Sequence, residues 1–192
     1  QSQTETHRER ERVQDIKISL VYSGKGQLMQ DSWDASEVLT GFLYLGSEKA
    51  AKDELSLAQQ RIRFLLNVNG SPCPVVGPHR LLHIPMSDFG ATNLSDDVLP
   101  RAFSFLDEAR AQQARILVHC YAGVNRSVTV VLAYLMYAEG WSLKKAMRFI
   151  MKRREVGPHR DYILQLEKLE MDLFGRSTSS LRDPNFNPCL LL

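Results

Sequence analysis

Val118-His119-Cys120-Tyr121-Ala122-Gly123-Val124-Asn125-Arg126-Ser127 is the stretch on which both the fold and the chemistry turn. It follows a short continuous apolar run, Ile116-Leu117-Val118, as expected of a strand buried on both faces, and precedes a helical pattern that begins near Arg126. A strand that enters a helix through a loop with a central glycine can curl its backbone N–H groups toward one point at the helix amino terminus. That arrangement cradles phosphate. Gly123 would allow the tight path, and Arg126 can hold two phosphate oxygens with a bidentate fork that lysine does not reproduce. The same positive field acts on Cys120. An ordinary thiol is only about 3% thiolate at pH 7, and helix termini and neighbouring cations raise that fraction. A loop built for a phosphate dianion therefore favours an ionised Cys120, and attack on phosphorus to give a phosphocysteine follows.

On the carboxyl side three helices close the domain. The first carries Val128, Val131, Leu132, Leu135 and Met136 on one face and stops at Gly140; Ser142 caps the second, whose stripe is Leu143, Ala146, Met147 and Ile150. The third carries Ile163, Leu166, Leu169 and Leu173 and ends at Gly175. On the amino side, strands are expected at Phe42–Leu45, Ile62–Val68 and Leu81–Ile84, with helices over Ala50–Gln60 and about Asp97–Gln113, where Pro100 is tolerable only in a first turn. Strands alternating with helices imply an α/β layer fold with a largely parallel sheet. Ile16, Ile18 and Leu20 alternate with polar residues and suggest one further short strand, and Ser23-Gly24-Lys25-Gly26 a turn without the spacing of a nucleotide loop.

Departure of an alkoxide or phenolate needs a proton. Asp88, on the loop after the third of these strands, is the best placed acid; Asp96 and Asp97 compete, but sit where a helix amino terminus wants carboxylates.

His119-Cys120-x-x-Gly123-x-x-Arg126-Ser127 resembles the signature of the cysteine-dependent protein tyrosine phosphatases, and the chain is most similar to their dual-specificity branch. The likeness runs from about Ser36 to Phe174 and includes Leu43-Tyr44-Leu45-Gly46-Ser47, Ala133-Tyr134-Leu135-Met136, Arg153-Arg154 and Gln165-Leu166. It implies a protein tyrosine phosphatase-like α/β fold, with a central, mostly parallel sheet flanked by helices. It implies hydrolysis of phosphotyrosine and of phosphoserine or phosphothreonine in proteins, with no cofactor or metal. By position, Cys120 is then the nucleophile, Arg126 the phosphate ligand and Asp88 the general acid and later base. Tyr121, Ala122, Gly123, Val124 and Asn125 complete the phosphate-binding loop. Ser127 matches the hydroxyl that helps the thiolate leave, His119 the histidine that orders the loop, and Asn93 an asparagine that supports the acid.

Two positions depart from the family pattern. Asn125 stands where serine is usual, and His159 follows Pro158 where asparagine is common. Asparagine before the arginine also occurs in RNA 5′-triphosphatases, which keeps that alternative open, although their loop usually carries histidine and threonine where this chain has Ala122 and Ser127. A phosphoprotein-binding module with weak turnover is the rival of a different class; the presence of both Cys120 and Asp88 speaks against it. The chain is too short for the extra recognition loop of tyrosine-only phosphatases, so a shallow pocket is expected.

Length and composition agree with one ordinary domain. The 192 residues are 44% apolar and 24% charged, with a net charge of +2, too little to argue for nucleic acid. Expected boundaries are a polar extension over 1–35, the catalytic domain over 36–175 and a tail over 176–192. The 35 leading residues leave no room for a separate docking domain, Gln1–Arg12 is polar rather than signal-like, and the charge run His7–Arg12 reads as a solvated arm. Three scattered cysteines, Cys73, Cys120 and Cys189, suit a reducing compartment. Cys73 is read as a small buried residue, with a protective disulfide to Cys120 as the alternative. Cys189-Leu190-Leu191-Leu192 fits a prenylation box, and a single lipid there would hold a membrane only weakly. The expected partners are phosphoproteins, kinases of a signalling cascade among them, and the expected location is cytoplasmic or nuclear.

Overall fold

The structure, a computed structural model, describes residues 34–75 and 77–176. The expected strand over Ile16–Leu20, the turn after it and the Cys189 box lie outside them. Five strands form one sheet: β1 (Ala35–Leu39), β2 (Leu43–Ser47), β3 (Ile62–Asn67), β4 (Arg80–His83) and β5 (Arg115–Cys120), in the order β1-β2-β5-β3-β4. β1 and β2 are antiparallel and all other pairs parallel. β5 lies in the middle, and Ile116, Leu117 and Val118 are fully buried, as a strand covered on both faces requires.

Alternation along the strands divides the core in two. Leu43, Leu45, Phe64, Leu66, Ile116 and Val118 join the larger cluster, while Tyr44, Leu65 and Leu117 face a smaller one with Ala50, Ala51 and Leu57. The smaller side is covered by two short helices, α1 (Glu48–Lys52) and α2 (Glu54–Gln59). These replace the single helix expected over Ala50–Gln60. Asp53 breaks it, because its carboxylate caps α2, accepting from the Ser56 N–H at 3.0 Å.

The larger side is built from α3 (Leu99–Ala111), α4 (Arg126–Glu139), α5 (Leu143–Met151) and α6 (Arg160–Phe174). α4 is buried continuously from Arg126 to Met136, the mark of a helix enclosed by the sheet and its neighbours. Gly140 and Gly175 end α4 and α6 in left-handed conformation, and Ser142 caps α5, as read from the sequence. α3 starts two residues later than expected, with Pro100 in its first turn, behind a π-helical segment at Leu94–Val98.

β1 is the strand the sequence reading did not find. Its polar edge residues Ser36 and Glu37 hide a period-two signal, and its pairing with β2 carries a register shift between Glu37 and Leu39. Among the described residues no helix is long and apolar enough to cross a membrane.

Candidate active site

β5 ends at Cys120 and α4 begins at Arg126, so the five residues between them turn at the carboxyl edge of the central strand. The turn needs Gly123: its φ is 72°, and a Cβ there would stand 2.7 Å from the Gly46 carbonyl and from an Arg154 nitrogen. Two of the loop's carbonyls are claimed from outside. Tyr121 O accepts from Glu48 N–H at 3.0 Å and Val124 O from Gly157 N–H at 2.8 Å. A trans peptide points its N–H opposite its C=O, so the Ala122 and Asn125 N–H groups face away from those donors. Arg154 braces the outside, donating to Leu45 O at 2.9 Å and pairing with Asp34 at 3.4 Å.

Inside the loop Cys120 is 2% exposed, and its sulfur accepts from the Gly123 N–H at 3.3 Å and from the Ser127 hydroxyl at 3.2 Å. Two donors aimed at one sulfur suit an anion. Arg126 is buried, and its Nε lies 2.9 Å from Asp88 Oδ1. Cys120, Arg126, Ser127 and Asp88, read as one constellation from the sequence, are thus gathered in one place.

His119 is fully buried, and its ring nitrogens have no aligned hydrogen-bond partner among the described residues. Burial pushes its pKa down to about 4, against a weaker upward pull from Glu48. The ring is therefore neutral at physiological pH. Its main chain sits in the sheet between Gly46 and Asn67, with its carbonyl accepting from Val68 N–H at 3.0 Å.

The Asp88 loop is held by side chains from elsewhere. Asn125 Nδ2 donates to Asp88 O at 2.8 Å and to Oδ1 at 3.0 Å, while Asn125 Oδ1 accepts from His159 N–H at 2.8 Å. Tyr162 donates its hydroxyl to Ser87 O, and burial raises its pKa, which keeps that proton in place. Gln165 donates to Thr92 O at 3.0 Å and accepts from Leu94 N–H at 2.8 Å. Gly90, at φ 74°, leaves no room for a side chain beside His159.

Asn93 is engaged away from Asp88: its Oδ1 accepts from Asp96 N–H at 3.2 Å and caps the π-helical segment, while its Nδ2 donates to Asp96 Oδ2. The side chain that grips the acid loop is Asn125, seen in the sequence only as a departure. Tyr162 and Gln165 were also missed as supports; the signal available was polar side chains on the core-facing stripe of α6. Tyr121 is 71% exposed at the loop's rim, beside a groove of about 770 Å³ that also touches Ser47, Glu48, Lys52 and Ala122. Cys73 and Cys120 are both buried free thiols; burial first, then Glu48, raises the pKa of Cys73, which makes it a poor nucleophile. That favours its reading as a small buried residue.

Residues 43–172, from β2 through nearly all of α6, match the family model described as dual specificity phosphatase, catalytic domain. The chain belongs to the dual specificity phosphatase family. Among curated relatives it is 38% identical over 147 residues to human dual specificity protein phosphatase 6, covering 74% of this chain and 38% of that protein. It is 36% identical over 141 residues to dual specificity protein phosphatase Mpk3 of Drosophila melanogaster, covering 71% of this chain and 34% of that one. The chain thus matches little more than a third of the length of these relatives. Among solved structures, human DUSP28 superimposes with a TM-score of 0.67 at 30% identity, covering 73% of this chain and 95% of that one. These likenesses bear out the expected α/β fold, with its mostly parallel sheet flanked by helices.

Proposed function

We propose that this dual specificity phosphatase domain hydrolyses phosphotyrosine and phosphoserine or phosphothreonine in proteins through a phosphocysteine. The observation that carries the reading is the sulfur of Cys120, held by the Gly123 N–H and the Ser127 hydroxyl one loop away from Arg126 and Asp88.

The substrate phosphate enters the loop and takes Asp88's place as partner of Arg126, which binds two of its oxygens. The Cys120 thiolate attacks phosphorus; the P–O bond to the leaving group breaks, and protonated Asp88 gives its proton to the departing oxygen. Asp88, now a carboxylate, takes a proton from water as that water attacks the phosphocysteine. The S–P bond breaks, inorganic phosphate leaves, and the Ser127 hydroxyl donates to the returning thiolate. The loop N–H groups stabilise the equatorial oxygens in both steps. Buried, neutral His119 is read as ordering the loop rather than moving protons.

The catalytic unit is read as 36–175, between an extension over 1–35 and a tail over 176–192. β1 starting at Ala35 and the Asp34–Arg154 pair support a start slightly earlier. Phosphoproteins, signalling kinases among them, are the proposed substrates, and the exposed rim at Tyr121 suits a shallow pocket. The test is turnover of phosphotyrosyl and phosphothreonyl peptides beside a triphosphate-ended RNA. Hydrolysis of both peptides is expected; turnover of the RNA alone would replace this reading.

A further inference from the structure

The outer face of α5 carries charge that the chemistry above does not use. From Trp141 to Arg154 there are six cations and no acid, in a chain whose net charge is +2. Arg154 is occupied at the loop. Lys144, Lys145, Arg148, Lys152 and Arg153 form no ion pair with a carboxylate among the described residues. Of the neighbouring acids, Glu139 pairs with Arg110 at 2.8 Å and buried Glu170 accepts from Leu143 N–H at 2.8 Å, while Glu155 follows the strip just after Arg154.

Two of these cations oppose the helix that bears them. Lys144 and Lys145 stand in the first turn of α5, where the helix dipole favours acids and where a capping box would place glutamate three residues after Ser142. Their charge adds to the positive potential of the helix amino terminus, which strengthens the strip's attraction for an anion. The cations are also held in position. Lys145 Nζ lies 4.2 Å from the Trp141 ring, the Arg153 guanidinium lies 3.6 Å from the Phe149 ring, and the two rings meet edge-on at 4.8 Å. A groove of about 450 Å³ runs among Lys144, Lys145, Arg148, Phe149 and Lys152.

This strip leads to the active site, because the chain passes from α5 through Arg153 to Arg154, which braces the phosphate loop. From Lys144 to Arg153 is about 14 Å along a helix, a span that about four residues of extended peptide would cover.

We propose that this face of α5 is a docking strip for an acidic segment close in sequence to the phosphorylated residue of the protein substrate. The proposal rests on the phosphatase reading. A peptide is favoured over a membrane or RNA because the strip is one helix wide, and its aromatic rings lie under cations rather than standing free to insert or stack.

The test compares the full chain with a Lys145→Glu, Arg148→Glu, Lys152→Glu variant. Substrates are a small aryl phosphate, a phosphotyrosyl peptide with a neutral flank and the same peptide with four flanking acids. We expect wild type to prefer the acidic peptide. The variant should raise KM for that peptide about tenfold at low salt, with the difference shrinking as salt rises, while leaving the other two substrates unchanged. Three results would overturn the strip: equal KM for both peptides with wild type, equal loss on both with the variant, or competition by phosphatidylserine vesicles or poly(U) without any preference for the acidic peptide. A Lys→Gln, Arg→Gln series at the same positions, giving intermediate values, guards against misfolding of the reversal variant. Failure of the phosphatase reading shows separately, as no turnover of the neutral-flank peptide by wild type. The strip would then still be read from the fluorescence anisotropy of a labelled acidic peptide.

Discussion

The loop that holds Cys120 and the loop that holds Asp88 meet across 2.9 Å at Arg126, yet they are built in opposite ways. The sulfur's donors lie three and seven residues along the chain, and Cys120 is 2% exposed. The acid's loop is fastened by Asn125, Tyr162 and Gln165, which lie 37, 75 and 73 residues from their partners, and the Asp88 side chain is 54% exposed. One half is preorganised by local backbone geometry and burial. The other is assembled by tertiary contacts and keeps the freedom to exchange Arg126 for a leaving group. In the proposed reaction Cys120 meets every substrate in one geometry, whereas Asp88 follows whichever residue the phosphate is leaving.

This contrast predicts different sensitivities. Cys120→Ser should lower turnover at least about 10⁴-fold on every substrate, aryl phosphates included, because no leaving group bypasses the nucleophile. Residual turnover near wild type would break the assignment. Asp88→Asn should cost about 10²- to 10⁴-fold on alkyl phosphates and far less on a nitrophenyl ester, whose oxygen leaves without a proton. Equal losses on both would mean that the acid lies elsewhere.

The buried half should also answer to pH. His119 titrates at about 4 when folded and near 6.5 when unfolded, so between those values the unfolded chain binds more protons. Its contribution is complete above pH 6.5 and is lost as pH falls toward 4, by about 3 kcal/mol. Urea unfolding of wild type and His119→Asn between these limits should show the steeper fall in wild type; parallel curves would assign it to other groups. The smallest effect is expected at the seam. Asn125→Ala removes two hydrogen bonds to the Asp88 residue and should slow poor leaving groups about tenfold, steepening the dependence on leaving-group pKa. A uniform loss on all leaving groups would indicate damage to the phosphate loop instead.

Helical spacing of apolar residues made α5 and α6 readable, and continuous burial, which leaves continuous apolar sequence, made α4 and the central strand so. β1 was not readable, because Ser36 and Glu37 stand side by side and break the alternation. The break at Asp53 was missed because a capping aspartate and a helix-interior aspartate look alike until the backbone turns. Asn93 was read as the acid's support from the resemblance alone; its side chain caps the π-helical segment that follows the Asp88 loop.

The sequence alone determined the layer architecture and was enough to propose Cys120 as nucleophile and the loop to Arg126 as its phosphate cradle, because each depends on residues close together in the chain whose backbone path follows from strand, glycine and helix. Tertiary structure alone decided what holds Asp88. Hydrogen bonds from Asn125, Tyr162 and Gln165 depend on how α6 packs against α4 and leave no periodic trace.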